Sequence, residues 1–155
     1  MSKGSPSFNH VAMSMPADAL DERGRAEILA FYSDVFGWEE FPTETIDRKR
    51  LVMKVYNMDQ FVYLHADDAP MSGPRMDHFG LGVGTVEELE EFYERAKRYR
   101  DKDERVDIID KKVDEFPGVN LTSFYVKYLL PLMVEIQHYD WNPSRQTAQP
   151  APPAT

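Results

Sequence analysis

The sequence predicts an α+β protein built from two βαβββ modules in tandem, and three observations carry that expectation. Hydrophobic periodicity runs in the order strand, helix, three strands, and then repeats that order. Both halves open on a matching motif, Phe8-Asn9-His10-Val11-Ala12 and Met76-Asp77-His78-Phe79-Gly80, so each first strand begins near a histidine. Between the halves, residues 67–75 hold two prolines and a glycine and show neither period. The expected division is a flexible N-terminus over 1–7, a first module over 8–66, a linker over 67–75, a second module over 76–140 and a disordered tail over 141–155, where Pro, Ala, Gln and Ser dominate.

Each element has its own local reason. Phe8 to Met15 alternates as a strand, with His10, Ala12 and Ser14 on one face and Val11, Met13 and Met15 on the other; Pro16 ends it. Residues 17–24 are polar and contain Gly24, which reads as a loop or a frayed helix start. Ile28, Phe31, Tyr32 and Val35 then form one stripe of a helix from Arg25 to Phe36, stopped by Gly37. Strands follow at about 38–45, 50–57 and 60–66, the last two joined by a turn at Asn57-Met58-Asp59. In the second half a strand over 77–84 leads into a helix capped by Thr85, with Glu88 completing a capping box. Its apolar stripe is Val86, Leu89, Phe92, Tyr93, Ala96 and Tyr99. Three strands close the module near 105–112, 121–128 and 132–139.

Composition narrows the function classes. The chain has 155 residues, enough for a substantial core, and a net charge of -9, which disfavours a nucleic-acid backbone as partner. It contains no cysteine, so it has neither disulfides nor thiolate ligands, as is usual in a reducing compartment. No segment approaches the roughly 20 apolar residues of a membrane span, and the N-terminus lacks the apolar run of a signal peptide. A cytoplasmic protein that recognises a small molecule is the expectation, with neither nucleic acid nor membrane as partner.

The polar strand faces carry the chemistry. Strand parity puts His10, Ala12 and Ser14 on one inner face with Phe61, Tyr63 and His65. In the second half it groups His78, Gly80, Gly82 and Gly84 with Ser123, Tyr125 and Lys127 and with Met133, Glu135 and Gln137. The apolar faces pack on the helices, and the polar faces line a curved cavity. His138 has the opposite parity and reads as exposed. The glycines after His78 leave space, which a substrate would use. A glutamate within Leu132-Met133-Val134-Glu135-Ile136 needs a partner, because a buried carboxylate without one is costly. An arginine or lysine would serve. So would a metal ion: His10, His78 and Glu135 form a two-histidine, one-carboxylate set that leaves coordination positions open.

This pattern of elements, duplication and ligand parity resembles the vicinal-oxygen-chelate superfamily, which includes glyoxalase, extradiol dioxygenases, fosfomycin-resistance enzymes and bleomycin-binding proteins. The resemblance spans roughly 8–140 and implies two paired modules forming a curved, half-open barrel around a metal site, commonly in a homodimer. It places metal ligands at His10, His78 and Glu135. The fourth ligand of glyoxalase-like members would fall in Phe61-Val62-Tyr63-Leu64-His65, where Tyr63 aligns best and neither a carboxylate nor an amide has the right phase. Ser123-Phe124-Tyr125, followed by Glu135, is similar to the strand that precedes the glutamate ligand of extradiol dioxygenases. By that similarity the metal is a divalent ion, Fe(II) by preference, the substrate is catechol-like, Tyr125 bonds a substrate oxygen, and His65 is an acid/base candidate displaced by two residues. The turn between the last strands departs from that group's pattern. A lyase, isomerase or epimerase using Zn, Ni, Co or Mn is the alternative, and a metal-free antibiotic-binding protein a further one.

Overall fold

The computed structural model describes residue 4 and residues 6–42 and 49–142. The chain forms two compact units: Met1–Asp77 together with Tyr128–Leu132, and His78–Lys127 together with Met133–Thr155.

The first unit contains β1 (His10–Met15), a 3-10 turn (Ala17–Leu20), α1 (Glu22–Phe36), β2 (Glu39–Glu40), β3 (Arg50–Lys54) and β4 (Phe61–Ala66). Helix α1 starts three residues before the expected Arg25, because Asp21 is an N-cap: its carboxylate accepts the Gly24 N–H at 2.7 Å. Gly24, expected in a loop or a frayed helix start, is a close-approach position in the first turn. A Cβ there would lie 2.2 Å from the Ala19 carbonyl oxygen. At the other end Gly37 takes φ +72° and its N–H reaches the Ser33 carbonyl, as expected of a glycine stop. Ile28, Phe31, Tyr32 and Val35 are all buried.

The sheet of this unit runs β1-β4-β3-β2, with β1 parallel to β4 and the other pairs antiparallel. The strand expected at 38–45 is described only to its start: Glu39–Glu40 pair with β3, Phe41 N–H bonds the Val52 carbonyl, and 43–48 lie outside the described residues. Strand β3 ends at Lys54 rather than 57. The Asn57 side chain accepts the Asp59 N–H at 2.9 Å, a local turn that competes with the ladder. Buried Arg25 ties the helix to the sheet, donating to the Arg50 carbonyl at 2.7 Å and to Glu40 at 3.3 Å.

The second unit contains β5 (His78–Gly82), α2 (Val86–Arg100), β6 (Asp107–Phe116), β7 (Val119–Lys127) and β8 (Met133–Trp141). Its sheet runs β5-β8-β7-β6, again with one parallel pair followed by antiparallel ones. The modules thus share element order and sheet topology, and each sheet is open. The Thr85–Glu88 capping box is present with both of its hydrogen bonds. The stripe of α2 is narrower than expected: Leu89 and Ala96 are buried, Phe92, Tyr93 and Tyr99 half-buried, and Val86 exposed. Strands β6 and β7 run longer than expected because Pro117-Gly118, with Gly118 at φ +80°, makes a tight hairpin that pairs Phe116 with Val119. Strand β8 continues to Trp141, and residues 143–155 of the expected tail lie outside the described residues. Among the described residues no helix is long and apolar enough to cross a membrane.

The segment Tyr128–Leu132, which joins β7 to β8, belongs to the first unit. There the Tyr128 ring stacks on Phe31 at 4.8 Å, and the buried Tyr32 hydroxyl donates to the Tyr128 carbonyl at 3.2 Å and accepts its N–H at 3.3 Å. Burial raises the Tyr32 pKa far above the usual phenol range. Leu129 holds φ +59°, a left-handed conformation uncommon for a non-glycine residue. Tyr32→Phe removes both hydrogen bonds to the Tyr128 backbone and should cost about 1–3 kcal/mol. Urea denaturation checks this: the variant's midpoint falls, whereas Tyr56→Phe, at an 81 % exposed side chain, leaves it in place.

Candidate functional site

Strand register builds the site row by row in the second unit. Gly80 of β5, Glu135 of β8 and Tyr125 of β7 are Cα partners in one row; Gly82, Gln137 and Ser123 form the next. His78 lies two residue pairs from the first of these rows, opposite Met133 and on the same face. One sheet face therefore carries His78, Tyr125, Glu135, Gln137 and Ser123, as parity predicts. The other face carries Phe124, Val126, Val134 and Ile136, all buried; Tyr93 of α2 packs on Phe124 at 5.2 Å.

Glu135 is the centre of the group. It is 3 % exposed, yet among the described residues neither lysine nor arginine pairs with it. Its Oε2 lies 3.3 Å from His78 Nε2 and accepts a short hydrogen bond from the Gln137 amide. His78 is more open, with 36 % of its side chain exposed. The Tyr125 ring stands edge-on to the imidazole at 5.0 Å. Burial pushes the Tyr125 pKa up to about 12, and the neighbouring Glu135 carboxylate, as hydrogen-bond acceptor and as charge, pushes in the same direction. Tyr125 is therefore a neutral hydroxyl across the physiological range. Ser123 is fully buried, and its hydroxyl is without a hydrogen-bond partner among the described residues.

The first unit carries the matching face. His10 pairs with Phe61, Ala12 with Tyr63, and Ser14 with His65. His10 is exposed and stacks on Phe61 at 4.8 Å. Its Nδ1 stands 2.6 Å from Asn9 Oδ1, and in the tautomer that donates to this oxygen Nε2 is the nitrogen with the lone pair. Tyr63 and His65 stack at 5.6 Å, both half-buried. Register identifies corresponding positions in the two modules. Tyr63 faces Ala12, two residues past His10, just as Glu135 faces Gly80, two residues past His78. The first module thus holds a phenol where the second holds a carboxylate, and His65 corresponds to Gln137.

Of the residues expected to form the site, His78, Glu135 and Tyr125 come together in the second unit; His10 and His65 belong to the first. Among the described residues no three of His, Cys, Asp and Glu gather as a metal-ligand group. The donors present nevertheless suit a divalent ion. Two donors each about 2.1 Å from one ion stand roughly 3.0–3.5 Å apart, and His78 Nε2 and Glu135 Oε2 are 3.3 Å apart. Asn9 orients His10 in the way a ligating histidine is usually held.

Three expectations need correction. Gly80 does not leave free space: a Cβ there would meet the Gln137 amide nitrogen at 3.3 Å and Glu135 Oε2 at 3.6 Å. Gly84 is likewise occupied, facing Glu88 Oε2 at 3.3 Å, and only Gly82 opens onto space. His138 is half-buried rather than exposed, and its Nδ1 lies 3.4 Å from the Val83 carbonyl oxygen. Asn9 and the Gln137 amide had no assigned role in the sequence. Their signals were available, one adjacent to a candidate ligand and the other two residues past it on the same strand face.

The two-module architecture shares its fold with solved structures of glyoxalase-type proteins. A protein of Bacillus anthracis described as a glyoxalase family member is 19 % identical, with a TM-score of 0.61 over 90 % of this chain and 100 % of that one. The fosfomycin resistance protein of Listeria monocytogenes is 14 % identical, with a TM-score of 0.58 over 95 % and 99 %. Lactoylglutathione lyase of Agrobacterium tumefaciens is 18 % identical, with a TM-score of 0.55 over 88 % and 96 %. At these identities the likeness concerns the fold. No protein-family profile matches the chain, and no curated protein is similar to it in sequence.

Tyr125 supplies a pH test on protein stripped of divalent ions. Its folded pKa exceeds the unfolded value of 10, so it contributes stability that is complete below pH 10 and is lost as pH rises through about 12. The ultraviolet phenolate titration of the parent minus that of Tyr125→Phe should show one group ionising near pH 12. A difference curve centred at 10 would show that burial and Glu135 do not act on it.

Proposed function

We propose that this protein is a metal-dependent enzyme whose divalent ion is held by His10, His78 and Glu135 and whose substrate is a small molecule with two adjacent oxygens. The observation that supports this most is the buried Glu135 carboxylate beside His78 Nε2, with neither lysine nor arginine paired to it among the described residues. Such a carboxylate is expensive to keep without a cation. The bound ion would supply Lewis acidity, lowering the pKa of a chelating hydroxyl.

The protein's own groups divide the remaining work. Tyr125, neutral and edge-on to His78, donates its hydroxyl hydrogen to a substrate oxygen and so orients the ring or chain that carries it. His65 is the acid/base group of this reading, histidine being the side chain most often used for that role. Tyr63 corresponds in register to Glu135. With a phenol in that slot, three protein donors are assigned to the ion and positions stay open for a two-oxygen substrate.

The finer reading is an extradiol-type ring-cleaving dioxygenase using Fe(II) on a catechol-like substrate. Its support is the Ser123-Phe124-Tyr125 strand, which sets Tyr125 in direct register with Glu135. The second reading keeps the site and makes the reaction a lyase, isomerase or epoxide-opening step with Zn, Ni, Co or Mn. The names of the lactoylglutathione lyase and fosfomycin resistance neighbours favour it.

Glu135→Gln and His78→Ala should each weaken Fe(II) or Mn(II) binding by more than about 100-fold, beyond the effect usual for a residue outside the ligand set. Anaerobic calorimetric titration checks this; parent-like affinity in both variants would remove the site. Oxygen uptake by Fe(II)-loaded protein on a catechol panel supports the dioxygenase. Turnover of a hemithioacetal or an epoxide without oxygen uptake supports the second reading.

A further inference from the structure

We infer that Gln137 is a positioning residue for the Glu135 carboxylate and that Gly80 is glycine because the Gln137 amide fills its side-chain space. The inference rests on the metal reading above and adds to it the group that aims the ligand. A carboxylate only accepts, so the amide must turn its NH2 toward Glu135, and it does so on Oε2. The same oxygen faces His78 Nε2 at 3.3 Å. The amide thus holds that oxygen on the side that faces the other proposed ligand, and the rotation of the carboxylate about its own axis is set.

Gly80 supplies the independent observation. It sits opposite Glu135 in β5, two residue pairs from Gln137 and on the same face. A Cβ on Gly80 would stand 3.3 Å from Gln137 Nε2, 3.5 Å from its Cδ and 3.6 Å from Glu135 Oε2. The amide–carboxylate pair therefore lies over the bare backbone of β5, and an alanine would force that pair to move by a few tenths of an ångström. Gly82 is the internal contrast. It lies on the same strand and the same face, directly opposite Gln137, and a Cβ there meets nothing within 4 Å. If glycine served only to thin the strand, both positions would tolerate alanine equally.

The test compares Gln137→Met, Gly80→Ala, Gly82→Ala and Glu135→Gln with the parent. Methionine keeps the length of the side chain and removes the donor. Calorimetric titration with Mn(II) and the visible spectrum of the Co(II)-loaded protein are the readouts, with circular dichroism and melting temperature confirming that each variant is folded. Gln137→Met should weaken metal binding by about 10–100-fold, the range typical of a group that orients a ligand. Gly80→Ala should weaken it several-fold, Gly82→Ala should match the parent, and the Co(II) bands should shift in the first two only. Parent binding that is lost in Glu135→Gln but unchanged, in affinity and spectrum, in Gln137→Met and Gly80→Ala overturns this inference while leaving the metal site in place. A parent that binds no metal overturns both.

Discussion

A buried carboxylate is the constraint on which the second unit depends. Glu135 lies on a central strand between neighbours that are fully buried, Val134 and Ile136, and among the described residues its charge is met by the Gln137 amide, the Tyr125 hydroxyl and the His78 imidazole. Removing a carboxylate from water costs several kcal/mol unless its partners replace the lost hydration. Several local features follow from supplying those partners. Tyr125 is held opposite in register, Gln137 folds back along its own strand, and Gly80 loses its side chain so that the amide fits. His78 approaches from the edge strand, the more exposed side.

Duplication explains how the same fold serves two different ends. Both modules use a parallel pair followed by an antiparallel meander, and both begin the paired strand at a histidine. Their third strand positions have diverged: Tyr63 in one and Glu135 in the other. A phenol at that position carries no charge to neutralise, and Tyr63 is half-buried where Glu135 is buried. The cores diverge as well. The first unit stacks Phe31, Tyr32, Trp38 and Tyr128 and anchors the segment that precedes β8. That segment leads directly into the strand bearing Glu135, so the Tyr32–Tyr128 hydrogen bonds fix the backbone only a few residues before the carboxylate.

Much of this was legible because strands alternate with period two. Parity alone grouped His78, Tyr125, Glu135 and Gln137 on one face, and the capping box at Thr85 and the glycine stop at Gly37 marked helix ends by specific hydrogen bonds. What sequence reasoning missed were contacts that depend on tertiary approach. Asp21 was passed over because the polar stretch 17–24 with Gly24 reads as a loop or a frayed helix start, whereas the missing Cβ answers the Ala19 carbonyl. The glycines after His78 looked interchangeable; only coordinates distinguish Gly80, filled by an amide, from Gly82, which is open. The role of Tyr128 was hidden because its partner Tyr32 lies 96 residues away. Pro117-Gly118 was a readable turn signal, and it accounts for the greater length of β6 and β7.

The central claim is that Glu135 and His78 share one divalent ion. An anomalous difference map, recorded at the absorption edge of Mn or Fe from crystals saturated with that ion, tests it most directly. The account predicts a single strong peak bonded to His78 Nε2 and a Glu135 carboxylate oxygen. A well-ordered Glu135 contacted only by Gln137, Tyr125 and His78, with the ion bound elsewhere or not at all, would contradict it.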